Sequence, residues 1–276
     1  MNANRPVPVK KIEPVTLFFK LLIPHLPRVG LTRFAGWLSQ PQRPEFFRKL
    51  TVPWFVQKFS IDMYEAEKGL DEYKSVAELF TRNLKPGQRP IGDGLVHPVD
   101  GRMVCGGKIT GDQVLQAKDK YYKLSEFLGD AEAMVLCQNG TLLTYYLSPQ
   151  DYHHVHFPFD GEIVSHQKFG NDLWPVNPWS LSKHSHVFIQ NERIVMRCRY
   201  GDAVVFMVMV GAVVVGKMKL SYTPNARILK GQRIGTFEMG STVIMIYPEQ
   251  INLNLLDIKD GKVNFGQSLI SLPTKG

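Results

Sequence analysis

The chain changes texture near residue 85. Before that point apolar residues fall in stretches with helical spacing; after it, short apolar and β-branched runs alternate with Gly, Pro, Asn and Asp. Residues 15–26 are strongly apolar with Lys20 as their one charge, and Leu31, Phe34 and Leu38 fall near one face of a helix over 31–38. A third stretch, 46–56, mixes Phe46, Phe47, Trp54 and Phe55 with Arg48 and Lys49. A short helix is expected over 75–80, and Pro86, Gly87, Pro90 and Gly92 then mark a boundary. The runs 103–109, 134–136, 141–147, 161–164, 186–189, 194–200, 203–215 and 242–247 predict strands joined by tight turns. The most apolar of them, 203–215, is β-branched, too short to span a bilayer and broken by Gly211. It predicts two buried strands joined near Gly211. There is no internal repeat. The pattern predicts an α+β, mainly β protein: a β-rich core over 86–276, preceded by a helical region over 1–85.

A length of 276 residues with 44% hydrophobic and 11% aromatic side chains supports one large domain, or a domain with a short appendage, and excludes a disordered chain. The three cysteines, Cys105, Cys137 and Cys198, are widely spaced and form no CxxC pair, which argues against a disulfide framework or zinc ribbon and for a reducing compartment. Charge changes the picture more. Residues 1–60 hold ten Lys/Arg against Glu13 and Glu45, which accounts for the whole formal net charge of +8. A basic field this localised points to an anionic surface, nucleic acid or bilayer. No nucleic-acid-binding signature accompanies it. Apolar faces carrying Trp and Phe beside Lys and Arg suit helices lying in a bilayer interface, although such faces can equally pack on the protein's own core. No run reaches the roughly 18 apolar residues of a membrane span. The apolar stretch leads into Pro24, Pro27 and arginines rather than a signal-peptide cleavage site. The expectation is a peripheral protein on the cytoplasmic face of the cell membrane.

Three polar constellations stand out in the β-rich part: His97-Pro-Val-Asp-Gly (97–101), Asp151-Tyr-His-His-Val-His-Phe-Pro (151–158) and Phe237-Glu-Met-Gly-Ser-Thr (237–242). Singly each is weak, since Pro-Val-Asp-Gly is an ordinary turn and Gly-Ser-Thr is common. The histidines first suggest metal. On a strand, however, His154 and His156 share a face and His153 points the other way, a poor three-histidine site, and HExxH is absent. No metal is expected. Asp100, His156 and Ser241 could instead serve as orienter, base and nucleophile, but spacing alone does not establish the set, and Ser241 lies outside a G-x-S-x-G elbow.

Together the motifs resemble the phosphatidylserine decarboxylases. The similarity runs from Leu31-Thr-Arg-Phe-Ala-Gly-Trp through residues 97–101 and 147–158. It continues through Asn191-Glu-Arg and Val210-Gly-Ala-Val-Val-Val-Gly to Lys230-Gly-Gln-Arg-Ile-Gly-Thr-Phe-Glu-Met-Gly-Ser-Thr. The resemblance implies a self-cleaving proenzyme in which Ser241 attacks the Gly240 carbonyl, with His156 as base and Asp100 holding the imidazole. Elimination of the resulting ester leaves a pyruvoyl group, the covalent cofactor, at residue 241. The products are chains 1–240 and 241–276, which form a heterodimer, with a dimer of that pair also plausible. It further implies that phosphatidylserine forms a Schiff base with this group and loses CO2 to give phosphatidylethanolamine. His153 is the residue carried over as proton donor; His154 stands where the family tolerates other residues and receives no role. Asn177, within the 170–178 loop, borders either the substrate site or plain solvent. Met239 replaces a more usual Leu or Phe, and the 216–230 stretch is short, which removes support for any family contact made there. Two alternatives stand beside this. A pyruvoyl decarboxylase of a soluble amino compound would lack the basic helices; an unprocessed membrane-surface binding protein would stay one chain.

Overall fold

A computed structural model describes residues 45–117, 120–176, 181, 183–184, 186–212, 218–238, 241–253, 258 and 260–270. The helices expected at 15–26 and 31–38 lie outside the described residues.

The frame is an eight-stranded antiparallel sheet. Its strands are β1 (Gly101–Lys108), β4 (Thr141–Leu147), β6 (Gly161–Phe169), β7 (Arg193–Tyr200), β8 (Ala203–Gly211), β10 (Arg227–Ile228), β12 (Ser241–Tyr247) and β13 (Gly261–Val263), in the order β10-β6-β7-β8-β12-β4-β1-β13. A three-stranded sheet of β5 (His154–His156), β11 (Arg233–Phe237) and β9 (Met218–Leu220) runs in the order β5-β11-β9, and β2 (Gln113–Ala117) pairs with β3 (Lys120–Lys123).

The apolar runs lack polar alternation because both faces of the large sheet are covered. Leu143, Tyr145, Val243, Met245, Met207 and Met209 join one core with Val155, Phe157, Ile234 and Phe237 of the small sheet. Leu142, Ile244, Ile246, Phe206, Val208 and Val210 face the other way, onto Leu124, Phe127, Leu128, Val187 and Phe188. Those last residues sit on short helices.

Two expected strands are in fact helical. Residues 134–136 belong to a helix over Ala133–Leu136, and 186–189 overlap a helix over Val187–Gln190. Runs of three or four residues carry no period, so their apolar character reports burial against the sheet rather than strand geometry. Strand β8 runs unbroken to Gly211, and the second strand expected beyond it falls largely within residues 213–217, outside the described residues.

Ahead of the sheets lie α1 (Glu45–Phe59) and α2 (Val76–Phe80), the latter capped by the Ser75 hydroxyl, which accepts from the Glu78 N–H. They enclose a small cluster of Val52, Phe55, Ile61, Tyr73, Leu79 and Phe80. One side of α1 thus packs on the protein itself, while Phe46, Leu50 and Trp54 remain 69%, 67% and 56% exposed.

Candidate active site

Ser241 is the first residue of β12, the strand held between β4 and β8, and its backbone is level with Leu147 and Gly211. The chain reaches it from β11 through residues 238–240. Residues 239 and 240 lie outside the described residues. Two further motifs converge on the same end of the sheet. Gly101 opens β1 directly after Asp100, and Arg102 is level with Tyr146, so Asp100 lies two strands across from Ser241. A Cβ at Gly101 would stand 2.5 Å from the Tyr146 carbonyl oxygen, which explains why the aspartate is followed by glycine. The histidine string begins after the Ser148–Asp151 turn, in which Asp151 N–H donates to the Ser148 carbonyl at 2.8 Å.

Strand alternation distributes the three histidines as expected. His154 and His156 flank Tyr152, with ring centroids 4.8 and 5.7 Å from it. The His153 ring instead packs 3.8 Å from that of Phe80 in α2. The register on β11 orders them relative to the serine. Arg233 is opposite His156, Thr236 is opposite His154, and Phe237 N–H donates to the His153 carbonyl at 3.0 Å. His153 is therefore the histidine level with the end of β11 that leads into Ser241, and His156 lies about 10 Å further along the strand.

All three imidazoles are buried, and burial holds them neutral. His153 is pushed down to about 3, His154 and His156 to about 4. Their hydrogen bonds define the tautomers. His153 Nδ1–H donates to the Asp151 carbonyl at 2.8 Å, leaving Nε2 as a lone-pair nitrogen, buried and without a hydrogen-bond partner among the described residues. His156 Nδ1–H donates to the Gly231 carbonyl at 2.7 Å, and its Nε2 accepts from the Tyr152 hydroxyl at 3.3 Å. Both rings thus present a basic Nε2.

Asp100 and His156 are neighbours without a hydrogen bond between them among the described residues. The Asp100 carboxylate is gripped by Arg89 (Nη2 to Oδ2 2.7 Å, Nε to Oδ2 3.1 Å), whose guanidinium also binds Glu65 at 2.6 Å. It also accepts the Phe265 N–H at 2.8 Å. The Phe265 ring stacks on His156 at 3.7 Å with a 7° interplanar angle. Phe265 thus bridges the two, and the Gly231 carbonyl stands on the His156 Nδ1, where the family resemblance implies Asp100. Arg89, Glu65, Phe265 and Gly231 were not singled out from the sequence. Arg89 and Glu65 carry no motif, and Phe265 reaches Asp100 across 165 residues of chain. Arg82 is a further buried cation: one nitrogen donates to the Gln150 carbonyl at 2.6 Å, while Nε and Nη1 have no partner among the described residues. Asn177 lies outside the described residues.

Comparison with known proteins decides what this assembly belongs to. The phosphatidylserine decarboxylase family profile matches residues 76–271, most of the chain. The chain belongs to the phosphatidylserine decarboxylase family. A phosphatidylserine decarboxylase proenzyme of Variovorax paradoxus is 37% identical over 243 residues, covering 80% of this chain and 86% of its own. The proenzyme of Myxococcus xanthus is 35% identical over 251 residues, covering 83% and 89%, and that of Helicobacter pylori is 34% identical over 263 residues, covering 87% and 96%. The matched span contains Asp100, the histidine string and the Gly240–Ser241 step together. It starts at the first residue of α2, so α1 stands outside the decarboxylase profile.

Proposed function

We propose that this chain is a phosphatidylserine decarboxylase that cuts itself between Gly240 and Ser241 and then converts phosphatidylserine to phosphatidylethanolamine and CO2. The observation that carries the proposal is the placement of Ser241 at the start of the central strand, with Asp100 two strands across at the same end of the sheet and His153 level with the end of β11 that leads into it.

The groups present suit the chemistry of cleavage. We assign His156, neutral and with Nε2 basic, as the base for the Ser241 hydroxyl on the family motif, although its backbone lies about 10 Å beyond the end of β11 that leads into Ser241; the serine oxygen attacks the Gly240 carbonyl. Nitrogen leaves as the amine of residue 241, giving an ester, and loss of the Ser241 α-proton with departure of the Gly240 carboxylate opens it. Hydrolysis of the remaining enamine releases ammonia and leaves the pyruvoyl end. Asp100 stabilises the imidazolium formed on the way, acting through the cluster it shares with Phe265. The Ser241 position fits a pyruvoyl group because it begins a strand anchored on both sides, which leaves residue 241 fixed whether or not residue 240 is still attached. There the group supplies an electron sink for the electron pair released with CO2. His153 completes the cycle. Its Nε2 has no other partner among the described residues and takes up a proton, then returns it to the substrate α-carbon. Chains 1–240 and 241–276 stay together as a heterodimer.

The lipid assignment is supported by α1, whose Phe46, Leu50 and Trp54 lie four residues apart on one exposed side, beside Lys49. No helix among the described residues is long and apolar enough to cross a membrane. In this reading the protein works as a peripheral enzyme, with the basic, aromatic face of α1 against the anionic, cytoplasmic membrane face. The test is release of CO2 from carboxyl-labelled phosphatidylserine by the detergent-solubilised protein. Release that requires Ser241 supports the proposal, and none from a fully processed protein contradicts it.

A further inference from the structure

His154 has no part in the chemistry above, yet it is as well ordered by hydrogen bonds as its neighbours. Its Nε2–H donates to the Thr81 carbonyl at 3.1 Å. That fixes Nδ1 as an acceptor, and Nδ1 takes the Thr236 hydroxyl at 2.7 Å and an Arg233 guanidinium N–H at 3.3 Å. The same Arg233 nitrogen donates to the Asn83 side-chain oxygen at 3.1 Å. Arg233 is thus held by two neutral acceptors, with no ion pair to a carboxylate among the described residues. It lines a cavity of about 290 Å³ together with Lys85, Arg89 and Tyr152. Arg89 is already neutralised by Glu65 and Asp100. Lys85 is not: its ammonium donates to the Tyr64 carbonyl at 2.7 Å. Glu67, on the same lining, accepts from Asn83 at 3.0 Å. Two cations therefore face the cavity without a carboxylate bonded to either among the described residues.

We propose that this cavity is a binding site for a lipid phosphate, with Arg233 as its principal donor, Lys85 as a second cation and His154 as the residue that positions Arg233. The proposal rests on the assignment of a phospholipid substrate and extends it to a specific oxyanion site. A guanidinium presents a rigid fork of N–H donors matched to phosphate oxygens, and one already fixed by neutral acceptors loses little freedom on binding. Burial holds the His154 imidazole neutral, as an acceptor of an arginine N–H must be. Two sources share this chemistry: the phosphodiester of the substrate and that of a neighbouring anionic lipid.

Steady-state decarboxylation by the processed enzyme distinguishes them. With short-chain phosphatidylserine dispersed in neutral detergent, Arg233→Gln is expected to raise KM about tenfold or more with kcat little changed, if the substrate phosphate is the ligand. With a neighbouring lipid as ligand, KM in detergent is unchanged, and stimulation by phosphatidylglycerol vesicles is lost. His154→Ala should reproduce the Arg233→Gln effect and His154→Asn, which keeps an acceptor near the Nδ1 position, should restore most of it. A purely structural histidine would not discriminate between them. A second measurement is independent of catalysis: inorganic phosphate should raise the melting temperature of the uncut Ser241→Ala chain, and Lys85→Gln and Arg233→Gln should each reduce that shift. Wild-type KM, vesicle response and phosphate-induced shift in Arg233→Gln would overturn the site. Failure of the wild-type chain to decarboxylate phosphatidylserine would instead overturn the functional assignment, with the phosphate shift still deciding the site.

Discussion

Two histidines three positions apart carry different predictions, because strand alternation and the β11 register put them in different surroundings. His156 shares its neighbourhood with Asp100 through Phe265, and its replacement by Ala should block self-cleavage, leaving one chain on a denaturing gel. Cleavage at the normal rate would remove it as base. His153→Ala should mature but turn over about 10²-fold or more slowly, the usual worth of a positioned acid–base group, with CO2 release as the readout. Unchanged turnover would remove it as proton donor. Asp100 depends on Arg89 in turn. In Arg89→Met two partly or fully buried carboxylates lose their common partner, and unfolding in urea should show a loss of about 3–5 kcal/mol, the cost of breaking a buried pair. The aspartate, the histidines and the serine were visible in the sequence because their motifs, each weak singly, occur together in the order of one family. Their partners were not. Arg89 lies 24 residues from Glu65, Gly231 lies 75 from His156, and contacts across such separations are set by how sheets stack, which local pattern does not record.

At the scale of elements, the long runs were legible and the short ones were not. Strand β4 matches the expected 141–147, because a seven-residue run flanked by turn residues has few alternatives. Strand β5, three residues long and rich in histidine, has no apolar signature; its histidine density marked it as chemistry rather than as a strand. The helix expected over 46–56 is present as α1, and it answers both sides of the original ambiguity, with Val52 and Phe55 buried and Phe46, Leu50 and Trp54 exposed. Replacing Leu50 and Trp54 together by Ser should leave the melting temperature close to wild type. It should weaken binding to anionic vesicles at least tenfold in a sedimentation assay, since each side chain forfeits about 1.5–3 kcal/mol of apolar burial. A lower melting temperature with unchanged vesicle binding would assign that face to the protein's own packing.

The molecule as a whole has a well-anchored C-terminal segment. Strand β12 is paired on both sides, β13 pairs with β1, and Leu269 and Gly266 N–H groups donate to the Leu95 and His97 carbonyls. Chain 241–276 should therefore co-elute with chain 1–240 after cleavage. Acid should unfold the protein at unusually mild pH. Burial lowers His97, His154 and His156 to about 4 and His153 to about 3, against about 6.5 in an unfolded chain. Between those values the unfolded chain binds more protons, so stability rises with pH across the window and is lost as pH falls below about 6.5. Each histidine contributes on the order of 1.4 kcal/mol per pH unit there, so the urea midpoint should drop steeply from pH 7 to pH 5; a flat midpoint would contradict their buried, neutral state. The central claim is that one polypeptide becomes two at Gly240–Ser241. Intact mass spectrometry of the purified, detergent-solubilised protein tests it most directly. The account predicts a chain of residues 1–240 and a chain of residues 241–276 whose first residue is pyruvoyl rather than serine. A single intact chain, or a smaller chain that begins with unmodified serine, would contradict it.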